Sequence, residues 1–469
     1  MFWINIDRSS DISLIRQIYE QIRTAILSGI LKSGERLPAT RELASELKVS
    51  RNVILEAYEQ LYSEGYVESH QGSGTFVAEG LLWVQAPIEL SLIPIDDAES
   101  KNNKINLIDF RSGIPDLNLF PKKIWGKLSQ SVYNESHPSA FGYGNPEGRL
   151  ELRHVLSNYL IKTRGVHCKP EQLVITSGAT QALSLVAKLL ISQGDEVIIE
   201  DPVTHEIQTI FSSAGASLYP ISVDANGMNI ELISKDKKPS FVFVTPSHQF
   251  PLGGILSIQR RLQLIQFARS AGCYIVEDDY DSEFRYKGTP ISSLQGLDPN
   301  KVIYIGTFSK NLSPALRLGF LILPPLLVER CRSLKWFTDL HTPSLEQLIL
   351  ARFIEEGHLE RHIRKMKKIY QKRRETLIKC LNLYFKDRVN ILGDATGLHL
   401  IGEFIDITFS DEVMNRILEY GVQVYPVKIH TIKKEIHLNK IIMGYGNLTL
   451  EGIKEGVKRL SMALYENML

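Results

Sequence analysis

The sequence predicts a multidomain chain: a small α+β winged helix-turn-helix, then a large α/β domain on a mostly parallel seven-stranded sheet, ending in a smaller α/β unit. Three observations carry this. Two short helical patterns and a glycine-tipped hairpin fill the first eighty residues. A polar, proline-containing stretch follows, and beyond residue 108 β-rich runs alternate with helical ones. At 469 residues the chain exceeds one typical domain. With 43% apolar and 23% charged residues it has the composition of a soluble globular protein. No apolar run is long enough to cross a bilayer, and MFWINIDRSSD lacks the pattern of a secretory signal. Cys168, Cys273, Cys331 and Cys380 lie far apart, which argues against a zinc site or disulfide framework and fits a reducing cytosol. The net charge of +1 excludes nothing.

Residues 12–29 place Ile12, Ile15, Ile18, Ile22, Ile26 and Leu27 on one helical stripe that ends at Gly29. A second helix spans 40–47, with Thr40 as its expected N-cap. After the break at 48–50 a third helix spans 51–64, capped by Ser50 and buried through Val53, Ile54, Ala57, Tyr58 and Leu61. Arg51 and Asn52 then project from the end at which a recognition helix meets base edges, and both are suited to purines. Residues 66–70 and 74–78 alternate around a glycine-rich tip, a hairpin able to enter a minor groove. Residues 1–78 hold eight Lys/Arg against ten Asp/Glu, so the domain is not basic overall. Arg36, Arg41, Lys48 and Arg51 nevertheless cluster around the turn, and a local footprint is what DNA requires.

The run GERLPATRELASELKVSRNVILEAYEQLYSEGYV, followed by GSGTFV, resembles the GntR-type winged helix over about residues 10–78. That resemblance implies DNA contacts by Arg36, Arg41, Ser50, Arg51 and Asn52 and by the wing residues His70, Gly72 and Gly74. From 79 to 107 periodicity lapses and the chain reads as a linker, with an ordered strand over 81–92 as the alternative.

In the large domain, expected at 108–345, strands are predicted at 172–176, 196–200, 217–222, 240–245, 273–277, 302–306 and 318–323. Helices are predicted near 147–163, 178–191, 204–214, 258–271 and 326–338. A long amphipathic stretch over 344–386 leads into the smaller unit, with strands at 396–402, 421–425 and 440–444. Four features at strand ends carry chemistry. Thr176 to Gln181 opens a helix with small residues, where backbone N–H groups can approach a phosphate. The acidic run at 277–283 can offer a carboxylate to a protonated pyridine nitrogen. Lys310 closes Gly306-Thr307-Phe308-Ser309-Lys310, where an amine can take an aldehyde as a Schiff base. Arg317 can clamp a phosphate. Each alone has an ordinary reading as turn, acidic loop or surface charge; all four in this order are hard to assemble by accident.

Together with the turn Tyr143-Gly144-Asn145-Pro146-Glu147-Gly148, they resemble fold-type-I pyridoxal-phosphate enzymes of the class I/II aminotransferase kind over about residues 108–469. The resemblance implies pyridoxal 5'-phosphate as cofactor on Lys310. It also implies Asp278 at the pyridine nitrogen, Tyr280 at the ring oxygen, and Ala179, Thr180, Thr307 and Arg317 around the phosphate. A GntR-type winged helix ahead of such a domain is the layout of MocR-type regulators, and TPSHQFPLGG (245–254) is similar to their segment. Phe250 stands there where plain aminotransferases have an asparagine.

Two departures bear on ligand choice. Asn447 occupies the place of the arginine that grips a substrate carboxylate, and Thr204 and Glu206 alter the Pro-x-Tyr segment. The reading is therefore a homodimeric cytoplasmic transcription regulator that binds double-stranded operator DNA. It senses a small amine, or the cofactor itself, at the Lys310 Schiff base, and common amino acids are expected to elicit little response. The alternatives are an aminotransferase with an accessory DNA-binding domain and, behind it, a dimerisation scaffold.

Overall fold

The computed structural model describes residues 4–70, 72–80 and 107–465, and the chain divides into two compact units, Met1–Asn102 and Asn103–Leu469. Most of the expected linker, the alternative strand over 81–92 and Gln71 in the wing tip lie outside the described residues.

In the first unit, α1 (Leu14–Leu27), α2 (Thr40–Glu46) and α3 (Arg51–Ser63) precede the strands β1 (Val67–His70) and β2 (Gly74–Val77). Ile18, Ile22, Ile26, Leu43, Ile54, Ala57, Leu61, Val67 and Val77 share one core, each large side chain worth about 1.5–3 kcal/mol of burial. The predicted stripe is right in phase but one turn too long: Ile12 precedes the helix and is 55% exposed. The α2 N-cap is Ala39, which offers no side-chain cap, and Thr40 is the first helical residue. Ser50 does cap α3, its Oγ accepting from Val53 N at 3.4 Å. The hairpin is antiparallel with His70 opposite Gly74. Residues 35–37 add a third edge, since Val77 N donates to Glu35 O and Leu37 N to Thr75 O, both at 2.8 Å.

The second unit begins with β3 (Ile108–Asp109), α4 (Lys122–Glu135) and α5 (Leu150–Arg164). An alternating run follows: β4 (Leu173–Thr176), α6 (Ala179–Leu190), β5 (Glu196–Asp201), α7 (His205–Ser213), β6 (Ser217–Asp224), β7 (Gly227–Met228), β8 (Phe241–Val244), α8 (Ile258–Ala271), β9 (Tyr274–Asp279), β10 (Val302–Thr307) and β11 (Gly319–Ile322). The sheet has the order β4-β11-β10-β9-β8-β5-β6-β7. It has eight strands, the seven expected plus the two-residue β7. The five central strands β10-β9-β8-β5-β6 run parallel, while β11 and β7 run antiparallel to their neighbours. Parallel strands covered on both faces must be apolar throughout, and Phe241–Val244 and Val302–Ile305 are.

Next come α9 (Val328–Asp339), α10 (Ser344–Glu355) and α11 (His358–Phe385). The single amphipathic stretch expected over 344–386 is thus two helices, broken where Gly357 takes a positive φ of 73°. The smaller unit holds β12 (Val389–Leu392), β13 (His399–Phe404), α12 (Asp411–Glu419), β14 (Val422–Gln423), β15 (Tyr425–Pro426), β16 (Lys440–Gly444) and α13 (Leu450–Tyr465). The strand expected at 421–425 is split: β15 joins the sheet β12-β13-β16-β15, whereas β14 pairs with β3. Ile108 and Phe110 accordingly belong to the core of the smaller unit, not to the large part in which sequence spacing placed them. Gly253 and Gly393 meet where the two parts touch: a Cβ on Gly253 would fall 2.2 Å from Gly393 Cα.

Candidate functional site

The C-terminal ends of β9, β10 and β4 bring the chemistry-bearing residues together, where open α/β sheets hold ligands. Lys310 follows β10, and its Nζ lies so close to the backbone of residue 113 that a Cβ on Gly113 would sit 2.8 Å away. Burial pulls the Lys310 ammonium below its usual pKa, opposed by Asp281 and Asp278 and reinforced by Arg111. A lysine whose charge is discouraged is a better nucleophile near neutrality.

Asp278 is buried on β9, and its Oδ1 has no hydrogen-bond partner among the described residues. Burial pushes its pKa up to about 7, helped by Asp279 and countered by Lys310. An orphaned buried carboxylate oxygen is costly unless a cation or donor arrives. Its neighbours are occupied structurally: Asp279 holds Arg164 and the Tyr304 hydroxyl, and Glu277 accepts from the backbone N–H groups of Leu294 and Gln295.

The N-terminus of α6 forms the third side. Gly178 is its N-cap, with φ +85° and no capping side chain. A Cβ there would fall 2.8 Å from Arg317 Nη2, so glycine is what lets the guanidinium lie against the helix end. Arg317 itself has φ +49° and donates to Ser177 O at 2.6 Å. Thr180 is exposed and Ala179 half-buried in the first turn. Thr307 is buried, donating to Ser309 Oγ at 3.1 Å. Uncapped N–H groups, two hydroxyls and an arginine make an anion cradle. The orphaned Asp278 oxygen, a Lys310 whose charge burial disfavours, and this cradle fit pyridoxal phosphate.

Tyr280 is stacked on His248, with its hydroxyl 3.1 Å from Nδ1. Of the residues expected to select the ligand, Asn447 is half-buried with an unpartnered Oδ1. Glu206 is exposed near both Lys310 and His430. Thr204 caps α7, its Oγ1 accepting from Ile207 N, so that hydroxyl is committed to the helix. Sequence reasoning missed Arg111, and it quoted the segments of His248 and Asp281 without joining the two residues. Arg111 flanks Lys310 and has no side-chain hydrogen bond or ion pair among the described residues. Asp281 and His248 pair behind Tyr280 at 2.9 Å. Only the nearness of Arg111 to the Gly113 turn hinted at the first; nothing in the spacing joined 248 to 281.

In the first unit Arg36, Arg41, Ser50, Arg51, Asn52, His70 and Gly72 are exposed, and Gly74 is half-buried. Arg36 packs on the wing, within 2.9 Å of where a Gly74 Cβ would be. Arg41, Arg51 and Asn52 have no side-chain partner among the described residues, as groups reserved for another molecule would.

A winged helix joined to an aminotransferase-type domain defines a class of regulator, and the comparisons agree. Residues 14–77 match the bacterial regulatory proteins of the gntR family and 105–459 match aminotransferase class I and II. The chain is 35% identical to the probable rhizopine catabolism regulatory protein MocR of Rhizobium meliloti, covering 98% of this chain and 95% of that one. It is 30% identical to the pyridoxine biosynthesis regulator PdxR of Corynebacterium glutamicum over 77% of each. Among solved structures, kynurenine aminotransferase of Pyrococcus horikoshii, in complex with PMP, superposes with TM-score 0.72 at 28% identity, over 78% of this chain and 92% of that one. The protein belongs to the MocR-type transcription regulators of the GntR family.

Among the described residues no helix is long and apolar enough to cross a membrane.

Proposed function

We propose that this cytoplasmic regulator carries pyridoxal 5'-phosphate on Lys310 and converts the state of that pocket into a change in operator binding. The carrying observation is the unpartnered, buried Asp278 Oδ1 in electrostatic reach of the depressed Lys310 amine, with the Gly178–Arg317 cradle at a strand end of the same sheet. Asp278 would hold the pyridine nitrogen, Tyr280 the ring oxygen, and Ala179, Thr180, Thr307 and Arg317 the phosphate. When bound, the group supplies an aldehyde that exchanges between amines. The chain's residues bind, orient and shield it. Asn447 and Glu206 leave a simple amino-acid carboxylate without the arginine that the resemblance to aminotransferases leads one to expect, which favours sensing over turnover.

DNA would be read by Arg51 and Asn52 and gripped by Arg36, Arg41, Ser50 and the wing at His70, Gly72 and Gly74. We also propose a homodimer, which would present two winged helices to two half-sites. Exposed aromatic side chains support it: Tyr143 rests edge-on against His341, and Phe141 against Tyr133. The test is titration of purified protein with its own upstream DNA, alongside its visible spectrum and its mass by light scattering. A colourless protein on reconstitution, or a monomer that binds the operator tightly, overturns the corresponding part.

A further inference from the structure

Behind Tyr280 lies a buried pair that the cofactor reading leaves unused. His248 Nδ1 stands 2.9 and 3.1 Å from the two oxygens of Asp281 and 3.1 Å from the Tyr280 hydroxyl. Both residues of the pair are 2% exposed. The fit is close: a Cβ on Gly397 would fall 2.3 Å from both Asp281 Oδ2 and His248 Cε1, so the chain turns there at φ +83° with glycine. Gly397 O is itself fixed by the hydroxyls of Tyr286 and Tyr445 at 2.8 and 2.7 Å.

The proton count follows from the acceptors. A carboxylate only accepts, so the proton shared with Asp281 sits on His248 Nδ1. Tyr280 oxygen, reached by the same N–H, is then also an acceptor and cannot donate to that nitrogen. Its own proton must therefore point away from His248. We propose that Asp281 and His248 form a positioning relay that aims the Tyr280 hydroxyl proton into the pocket as a strengthened hydrogen-bond donor. This rests on the cofactor reading above and deepens it. Phe250 stands at the asparagine position of aminotransferases, so a donor that an asparagine amide can provide is missing, and a polarised Tyr280 supplies it from the other side.

The groups facing the relay agree with it. Burial, then Asp281, Asp278, Glu200 and Asp279 hold the Tyr280 hydroxyl in its protonated form. His399 packs on His248 with ring centres 5.0 Å apart, and burial then the neighbouring His248 push its pKa down to about 3, so it stays neutral. Ligand atoms of His248, Asp281 and His399 all lie within 4.8 Å of one another, a spacing a metal can use. Yet His248 Nδ1 is engaged by Asp281 and His399 Nε2 by Pro251 O at 2.9 Å, and His248 Nε2, unpartnered among the described residues, is left as the bare nitrogen that the Nδ1–H tautomer requires. The relay is the reading that uses the bonds present.

Two measurements on the full chain test it. In cofactor-free protein labelled with nitrogen-15, His248 is expected as the Nδ1–H tautomer, with that signal lost in Asp281→Ala. In protein reconstituted with pyridoxal phosphate, the visible band is titrated against pH. A donor to the ring oxygen stabilises its anionic form, so weakening it raises the midpoint, by about one pH unit in His248→Gln. His248→Asn, whose amide N–H can take the place of Nδ1–H, should restore the wild-type midpoint. An Nε2–H tautomer in the wild type overturns the relay, as does a midpoint in His248→Gln equal to wild type, or a stoichiometric metal that takes Asp281. A wild type that binds no pyridoxal phosphate overturns the cofactor reading instead, and the tautomer measurement still decides the relay.

Discussion

The two units keep their functional groups in opposite states. In the winged helix Arg41, Arg51 and Asn52 are exposed and unpartnered among the described residues, held ready by nothing but helix geometry and the Ser50 cap. In the larger unit Lys310, Asp278 and Tyr280 sit at strand ends among other charged groups, with protonation shifted by burial. A surface that reads a polyanion needs loose cations whose charge is certain. A pocket that handles an amine needs groups whose charge is easily changed. Mutations in the first should therefore move DNA affinity alone, and mutations in the second should move protonation and stability instead.

Lys310→Ala makes the sharpest break between the units. It should abolish the visible band and any borohydride-trapped adduct in mass spectrometry while leaving bare operator affinity broadly intact. An adduct persisting in that variant would place the cofactor on another amine. Next in size is Arg51→Ala: loss of a bidentate base contact costs about 1–3 kcal/mol, roughly ten- to hundred-fold in affinity, with relaxed specificity at one position. Wild-type gel shifts from this variant would move the reading residues elsewhere.

Asp278→Asn tests the pocket's electrostatics. A carboxyl whose folded pKa is raised to about 7 favours the folded state fully below its unfolded value near 3.8, and that contribution is lost as pH rises through 7. The cofactor-free variant should therefore melt a few degrees higher than wild type at pH 8 and no higher at pH 4, by calorimetry. The same change should weaken cofactor retention. A lower melting temperature at pH 8 would mean that Asp278 has a structural partner.

The smallest expected effect concerns the choice of ligand. Amino acids without a further anchor should change the spectrum little. If one does act at low concentration, loss of the response in Arg111→Ala but not in Asn447→Ala would put its carboxylate on Arg111.

The fold was legible wherever periodicity was strong. All seven long strands of the large sheet stand close to where apolar runs predicted them, because a buried parallel strand leaves a continuous apolar signature. Short elements were not: β7 has two residues, and α4 carries an amphipathic pattern that no strand or cap signal framed. Thr40 looked like a cap by type, yet the chain turns one residue earlier, at Ala39. The pocket residues tied to motifs were readable because each follows a strand. Asp281 and His248 were not, since the pair forms only when neighbouring strands bring residues 33 apart into register.

The meeting of Gly253 with Gly393 has a mechanical consequence. With no side chain between them, the backbone that carries His248 and Phe250 touches the backbone leaving β12, and neither can slide past the other without separating. The 245–254 segment and the turn after β12 therefore have no slack between them, and Gly393→Ala would set a Cβ 2.9 Å from Leu252 O and force the two backbones apart without replacing any polar group of the pocket.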